Sequence, residues 1–177
     1  MTHYTSDMKT LKILFLNALL LLPLTAFAEA EAQVPDVITV KKMSMELAAE
    51  IATKAVKTCR DQGYQVSAVV VDRSGNMQVA MRDVHASRFT LQIAEEKANA
   101  VILGGVSSGE IRKNRADIRQ ELNHVDGLLI MRGGLPIRAA GSIIGAVGVS
   151  GAPGGDKDEI CAQKALDTVQ ERLDFIE

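Results

Sequence analysis

Residues 131–161 read MRGGLPIRAAGSIIGAVGVSGAPGGDKDEIC, and their reading decides the fold. Eight of the chain's fourteen glycines lie in this stretch. Pro136 forbids a helix, so Leu135 to Arg138 is a short extended segment. Ala139-Ala140-Gly141-Ser142 is a tight turn, with Gly141 free to take a positive φ. Ser142 to Ser150 reads SIIGAVGVS and predicts a buried strand. One face carries Ile143, Gly145, Val147 and Val149; the other carries Ile144, Ala146, Gly148 and Ser150. Small residues inside a strand mean that another backbone, a helix or a ligand comes very close. Gly151 to Gly155 cannot continue the strand. Asp156 is expected to cap a helix, with Asp158 and Glu159 in its first turn, where carboxylates suit the helix dipole.

Working outward, Ser44 predicts an N-cap with Glu46 in the first turn. Ala48, Ile51, Ala52, Ala55 and Cys59 then share one helical face, and Gly63 ends that helix. Gln65 to Asp72 predicts a strand whose faces, Val66/Ala68/Val70 and Ser67/Val69/Val71, are both largely apolar. Both sides of the sheet should therefore be covered. Arg73 to Asn76 is a hairpin turn, and Met77 to Arg82 is the return strand. Ser87 starts a helix with a buried stripe of Leu91, Ala94, Ala98, Val101 and Ile102, stopped by Gly104 and Gly105. Ser108 is expected to cap a charged helix reaching Leu122, and Leu128 to Arg132 predicts another strand. A last helix, Asp156 to Phe175, would bury Cys161, Ala165, Val169 and Leu173. Short strand connections make this order an α+β domain, with a five-stranded antiparallel sheet and helices on both faces.

The chain's 177 residues suit one domain with its own core. Trp is absent and aromatics are 3%, so Val, Ile, Leu, Ala and Met must fill that core. A net charge of −2 without a basic block argues against nucleic acid and anionic membrane surfaces. Lys9 and Lys12 precede an apolar run, Ile13 to Leu24, and Ala26-Phe27-Ala28 is a small-x-small cleavage site. Residues 1–28 are therefore expected to be a signal peptide, residues 29–42 an N-terminal arm, and residues 43–177 the domain. The expected location is periplasmic or secreted, with no membrane insertion after processing.

Few residues stand out for chemistry. The Gly145, Gly148 and Gly151 spacing is no dinucleotide fingerprint, because two of these lie inside a strand. No Lys-Ser/Thr pair follows, which excludes a P-loop, and Asp156, Asp158 and Glu159 would repel phosphate from that helix end. Gly151 and Ala152 N–H groups remain free to meet a ligand carboxylate. His85, between a strand and a helix, suits iron ligation or proton transfer, or is simply an exposed loop residue. His124 lies in a turn-like setting, and the two are too far apart in sequence for a metal motif. Arg82, Arg88 and Lys97 form a candidate cationic patch for carboxylates, unless Glu95 and Glu96 pair with them. Met81 and Met131 read as core, with soft axial ligation as the alternative. Cys59 and Cys161 both face inward; they read as buried free thiols, although an oxidising compartment permits a bridge. No Ser-His-Asp order, paired-carboxylate site or HExxH motif appears, so a binding protein is expected before a catalyst.

The stretch GGLPIRAAGSIIGAVGVSGAPGGDKDEICAQKALD, residues 133–167, resembles the signature of the GlcG/HbpS-like proteins, the haem-degrading domain family. MRDVHASRFTLQIAEEKANA, residues 81–100, resembles that family's KA helix, with the VVVDRSGNMQVAMR hairpin before it. The resemblance spans about residues 43 to 175 and implies a profilin-like fold. It implies a secreted haem or tetrapyrrole binder, for sequestration or sensing, that forms a homo-oligomer and is compatible with a sensor-protein partner. The alternative it implies is an enzyme or accessory protein binding a small 2-hydroxy or 2-oxo acid. With the residue reading above, the candidate ligand-binding residues are Arg82, His85, Phe89, Thr90, Lys97, Gly133, Gly134, Ser150 and Gly151, with His85 and His124 as candidate metal ligands; Thr90 and Lys97 match positions of the family's KA helix. Many relatives carry His just before the Thr matching Thr90; Phe89 stands there instead, and His85 is four residues earlier.

Overall fold

The computed structural model describes residues 35–176. The expected signal peptide and the first part of the arm lie outside them. Helix α1 spans Met45–Asp61 and opens as expected, with the Leu47 N–H donating to Ser44 Oγ at 3.2 Å. Gln62 closes it, and Gly63 follows at φ 83°, a conformation glycine adopts without strain. Strand β1 (Ser67–Asp72) returns through a hairpin into β2 (Met77–Arg82). Strands β3 (Gly134–Ala139) and β4 (Ser142–Ser150) form a second hairpin. Its turn needs positive φ at both Ala140 (46°) and Gly141 (78°), which suits the twist of a two-residue hairpin.

The sheet has four strands, in the order β2-β1-β4-β3, and all its pairings are antiparallel. The expected fifth strand, Leu128 to Arg132, is an irregular connector. Its backbone is bonded elsewhere: Ile130 N–H donates to Asn123 Oδ1 at 2.8 Å and Leu129 N–H to the Glu96 carbonyl at 3.4 Å. Ile130 packs with Ala100 and Ile111 instead of joining a ladder.

Helix α2 (Phe89–Gly104) covers one sheet face, where Ala94, Ala98 and Val101 meet Val69, Val71 and Ala146. Helix α1 and the last helix, α5 (Gly155–Asp174), cover the other, over Val66, Ala68, Val70, Val147 and Val149. The alternation in β1 thus partitions between two cores as its sequence predicts. Ile144 does not follow its expected face. The β3–β4 register shifts between Ile137 and Arg138, and this bulge places Ile144 in the α1/α5 core.

The charged helix expected to reach Leu122 is two pieces, α3 (Ser108–Asn114) and α4 (Arg119–Leu122). Ile111 is the only buried apolar anchor in either helix. The cap is Ser107, in a reciprocal box with Glu110. Ser108 is instead buried, accepting from the Gly134 N–H at 2.9 Å. Helix α5 begins after Gly154 at φ 132°, not with an Asp156 cap. The free-thiol reading of Cys59 and Cys161 is also overturned: they form a disulfide, with Cα atoms 5.4 Å apart. Packing of α1 beside α5 brings together residues separated by 102 positions. Among the described residues, no helix is long and apolar enough to cross a membrane.

Candidate functional site

Glycines let α2 press onto the sheet. A Cβ at Gly148 would land on the Ala94 carbonyl oxygen, and one at Gly134 on the Lys97 carbonyl oxygen. Small residues at these points therefore serve backbone approach, the first of the expected reasons for them.

Lys97, expected to meet a ligand, is enclosed by this contact and is 1% exposed. Its Nζ donates to Asp158 Oδ2 at 2.8 Å and to the Val149 carbonyl at 2.9 Å. Asp158 Oδ1 also accepts from the Ala152 N–H at 3.0 Å. The pair therefore ties α2, β4 and the start of α5 together. Burial lowers the pKa of Lys97 and raises that of Asp158, while their mutual attraction opposes both shifts. At Gly133 (φ 118°), a Cβ would come 2.9 Å from Lys97 Nζ, so this glycine also serves the buried pair.

The other expected site residues do not converge on Lys97. Arg82 turns back onto its own loop, donating to the Ala86 carbonyl. It lines a cavity with Arg60, Lys57 and Met81. Arg88 lies over the neighbouring Phe89 ring, 4.1 Å from its centroid. Thr90 Oγ1 bonds the Ser87 carbonyl at 2.6 Å and Ser67 Oγ at 2.8 Å. Ser150 is buried opposite Ser67, and a Cβ at Gly151 would strike the Gln65 carbonyl oxygen. His85 and His124 are both exposed. Among the described residues, no group of three or more His, Cys, Asp or Glu is placed to hold a metal.

A different region gathers three arginines, two of them without an ion-pair partner among the described residues. Arg112 from α3, Arg119 from α4 and Arg132 from the connector line one hollow of about 620 Å³, together with Ile130, Met131, Asn123, Gly155 and one carboxylate, Asp156. Arg132 Nη2 is 3.1 Å from Glu159 Oε1, and this hydrogen bond raises its pKa. Arg112 and Arg119 have no ion-pair partner within 4 Å among the described residues. Met131 is 43% exposed rather than core, because its segment is a connector and not a strand. His124 follows Asn123 in the chain. The arrangement offers guanidinium donors beside an apolar and thioether wall. Residues Arg112, Arg119 and Arg132 escaped the sequence reading; the available signal was the basic run IRKNRADIR, residues 111–119.

Among curated proteins, none matches the chain. Solved structures do. The crystal structure of HbpS is 31% identical, with a TM-score of 0.71, over 78% of this chain and 97% of that one. The Klebsiella pneumoniae protein ORFY is 26% identical, with a TM-score of 0.72, over 82% of this chain and 100% of that one. A PduOC:heme complex is 22% identical, with a TM-score of 0.65, over 72% of this chain and 94% of that one; it shares the fold. Residues 43–167, well over half of the chain, match a family model as well, and the protein belongs to that family, described as haem degrading protein HbpS-like.

Proposed function

We propose that this protein binds haem and that the arginine-lined hollow receives it. One observation carries the reading: Arg112, Arg119 and Arg132 converge on a cavity walled by Ile130 and Met131. Haem presents an apolar macrocycle and propionate carboxylates, and guanidinium forks bind carboxylates through paired N–H donors. The donor set therefore fits the group. Arg112 and Arg119 would hold propionates, the exposed Met131 would meet the macrocycle and offer its thioether as a soft ligand to the iron, and the buried Ile130 would back that wall. Bound haem would supply redox-active iron; the residues described here bind and orient it, and the protein is a binder rather than a catalyst. The family description and the haem complex of the PduOC structure support this reading. A small 2-hydroxy or 2-oxo acid would meet the same arginines, but about 620 Å³ suits a larger ligand.

Secretion to the periplasm or beyond belongs to the same proposal. Its supports are the N-terminal lysines and apolar run, and the Cys59–Cys161 bridge, which an oxidising compartment maintains. The exposed edge strand β2 supports a homo-oligomer, and the layered helix–sheet–helix order supports the profilin-like label.

The test is a haemin titration of the mature protein followed by its Soret band. A saturable, red-shifted band is expected in the wild type, with loss in Arg112→Ala/Arg119→Ala and an altered band in Met131→Ala. No saturable band at all, or a band lost only in His85→Ala, would overturn the assignment.

A further inference from the structure

The three arginines of the hollow also line an adjoining lobe of about 450 Å³, to which Lys113 is added. Its carboxylates are already engaged. Glu110 accepts from the Ser107 N–H at 3.1 Å, and Glu159 holds Arg132. Arg112, Lys113 and Arg119 have no ion-pair partner within 4 Å among the described residues. Arg112, Lys113, Arg119 and Arg132 outnumber the carboxylates Glu110 and Glu159 in this lobe, which leaves it with a net positive charge. Guanidinium forks suit tetrahedral oxyanions, whose oxygens accept from several donors at once, and a lysine adds a point charge.

We infer that this second lobe binds a multiply charged oxyanion of the phosphate class. The anion competes with haem for the shared guanidiniums; that competition rests on the haem reading above, whereas the anion site itself does not. Lys113 lines this lobe and not the larger one, so it separates the two ligands.

Inorganic pyrophosphate is the probe, compared with sodium chloride at matched ionic strength. Pyrophosphate is expected to raise the melting temperature of the wild type beyond the chloride control, and Lys113→Ala to lose most of that rise. Lys113→Ala should keep the wild-type haemin titration, while pyrophosphate should move the wild-type titration to higher haemin concentration. A melting temperature no higher than in chloride overturns the inference even when haemin binds. A rise that Lys113→Ala and Arg119→Ala both retain overturns it equally. A Lys113-dependent rise without any haemin binding supports the anion site and overturns the competition.

Discussion

The α2–sheet seam and the hollow beside α3 are both built around cations, and they treat them in opposite ways. Lys97 is 1% exposed, with its ammonium bonded to Asp158 and the Val149 carbonyl. Arg112 and Arg119 border an open cavity and lack ion-pair partners among the described residues. A buried charge must be matched before folding can tolerate it, so its partner is internal and its role is structural. A solvated charge needs no internal partner and stays available to a ligand. Enclosure, more than charge, thus separates the framework from the candidate site.

The largest effect is expected where the seam is tightest. Gly148→Ala places a methyl group on the Ala94 carbonyl oxygen, a backbone atom with no rotamer to escape into. Denaturant unfolding should show a loss of more than about 4 kcal/mol, or no folded protein. Wild-type stability in this variant would mean that the helix does not approach the strand so closely.

Next comes the ion pair. Lys97→Met leaves Asp158 buried without its cation and should cost about 3–5 kcal/mol, whereas Lys97→Met/Asp158→Leu should recover most of the loss. The pH dependence follows from the direction of the shifts. Burial raises the folded pKa of Asp158, so its contribution is full below the unfolded value of 3.8 and is lost as pH rises through the folded one. Burial lowers that of Lys97, so its contribution is full above 10.5 and is lost as pH falls through the folded value. Removing Lys97 raises Asp158 further. The deficit of Lys97→Met relative to wild type should therefore deepen between about pH 4 and pH 7. A deficit independent of pH would remove Asp158 from the account.

A smaller loss is expected from opening the Cys59–Cys161 bridge. Cys59→Ser/Cys161→Ser should lower the unfolding free energy by about 2–4 kcal/mol. Haemin binding should persist under conditions where the variant is folded, because the bridge joins α1 to α5 in the core opposite α2.

The smallest effect on stability belongs to the hollow. Arg112→Ala/Arg119→Ala should change unfolding free energy by no more than about 0.5 kcal/mol, as surface positions without ion-pair partners do. Haemin affinity should nevertheless fall by about tenfold or more, the equivalent of about 1.4 kcal/mol. Destabilisation comparable with that of Lys97→Met would show that the hollow is framework too.

Much of the seam was legible in the residues. The alternation in β1 and the small residues of β4 report local periodicity, and local periodicity survives folding. The missing fifth strand was not legible, because Leu128 to Ile130 is as apolar as a strand and only the Asn123 and Glu96 contacts show its backbone engaged elsewhere. Lys97 drew notice as a site residue because nothing nearby in sequence reveals Asp158, 61 positions later, as its partner. The Cys59–Cys161 pairing is hidden in the same way. Arg112 and Arg119 fell within one expected charged helix and Arg132 at the end of an expected strand. Their convergence depends on the break between α3 and α4 and on Arg132 arriving from a separate segment.

The most direct measurement is a side-by-side haemin titration of Arg112→Ala/Arg119→Ala and His85→Ala, each first shown to unfold at the wild-type denaturant midpoint. The arginine variant should lose saturable Soret binding while His85→Ala titrates like the wild type. Full binding by the arginine variant, with loss in His85→Ala, would place the ligand away from the hollow and contradict the account.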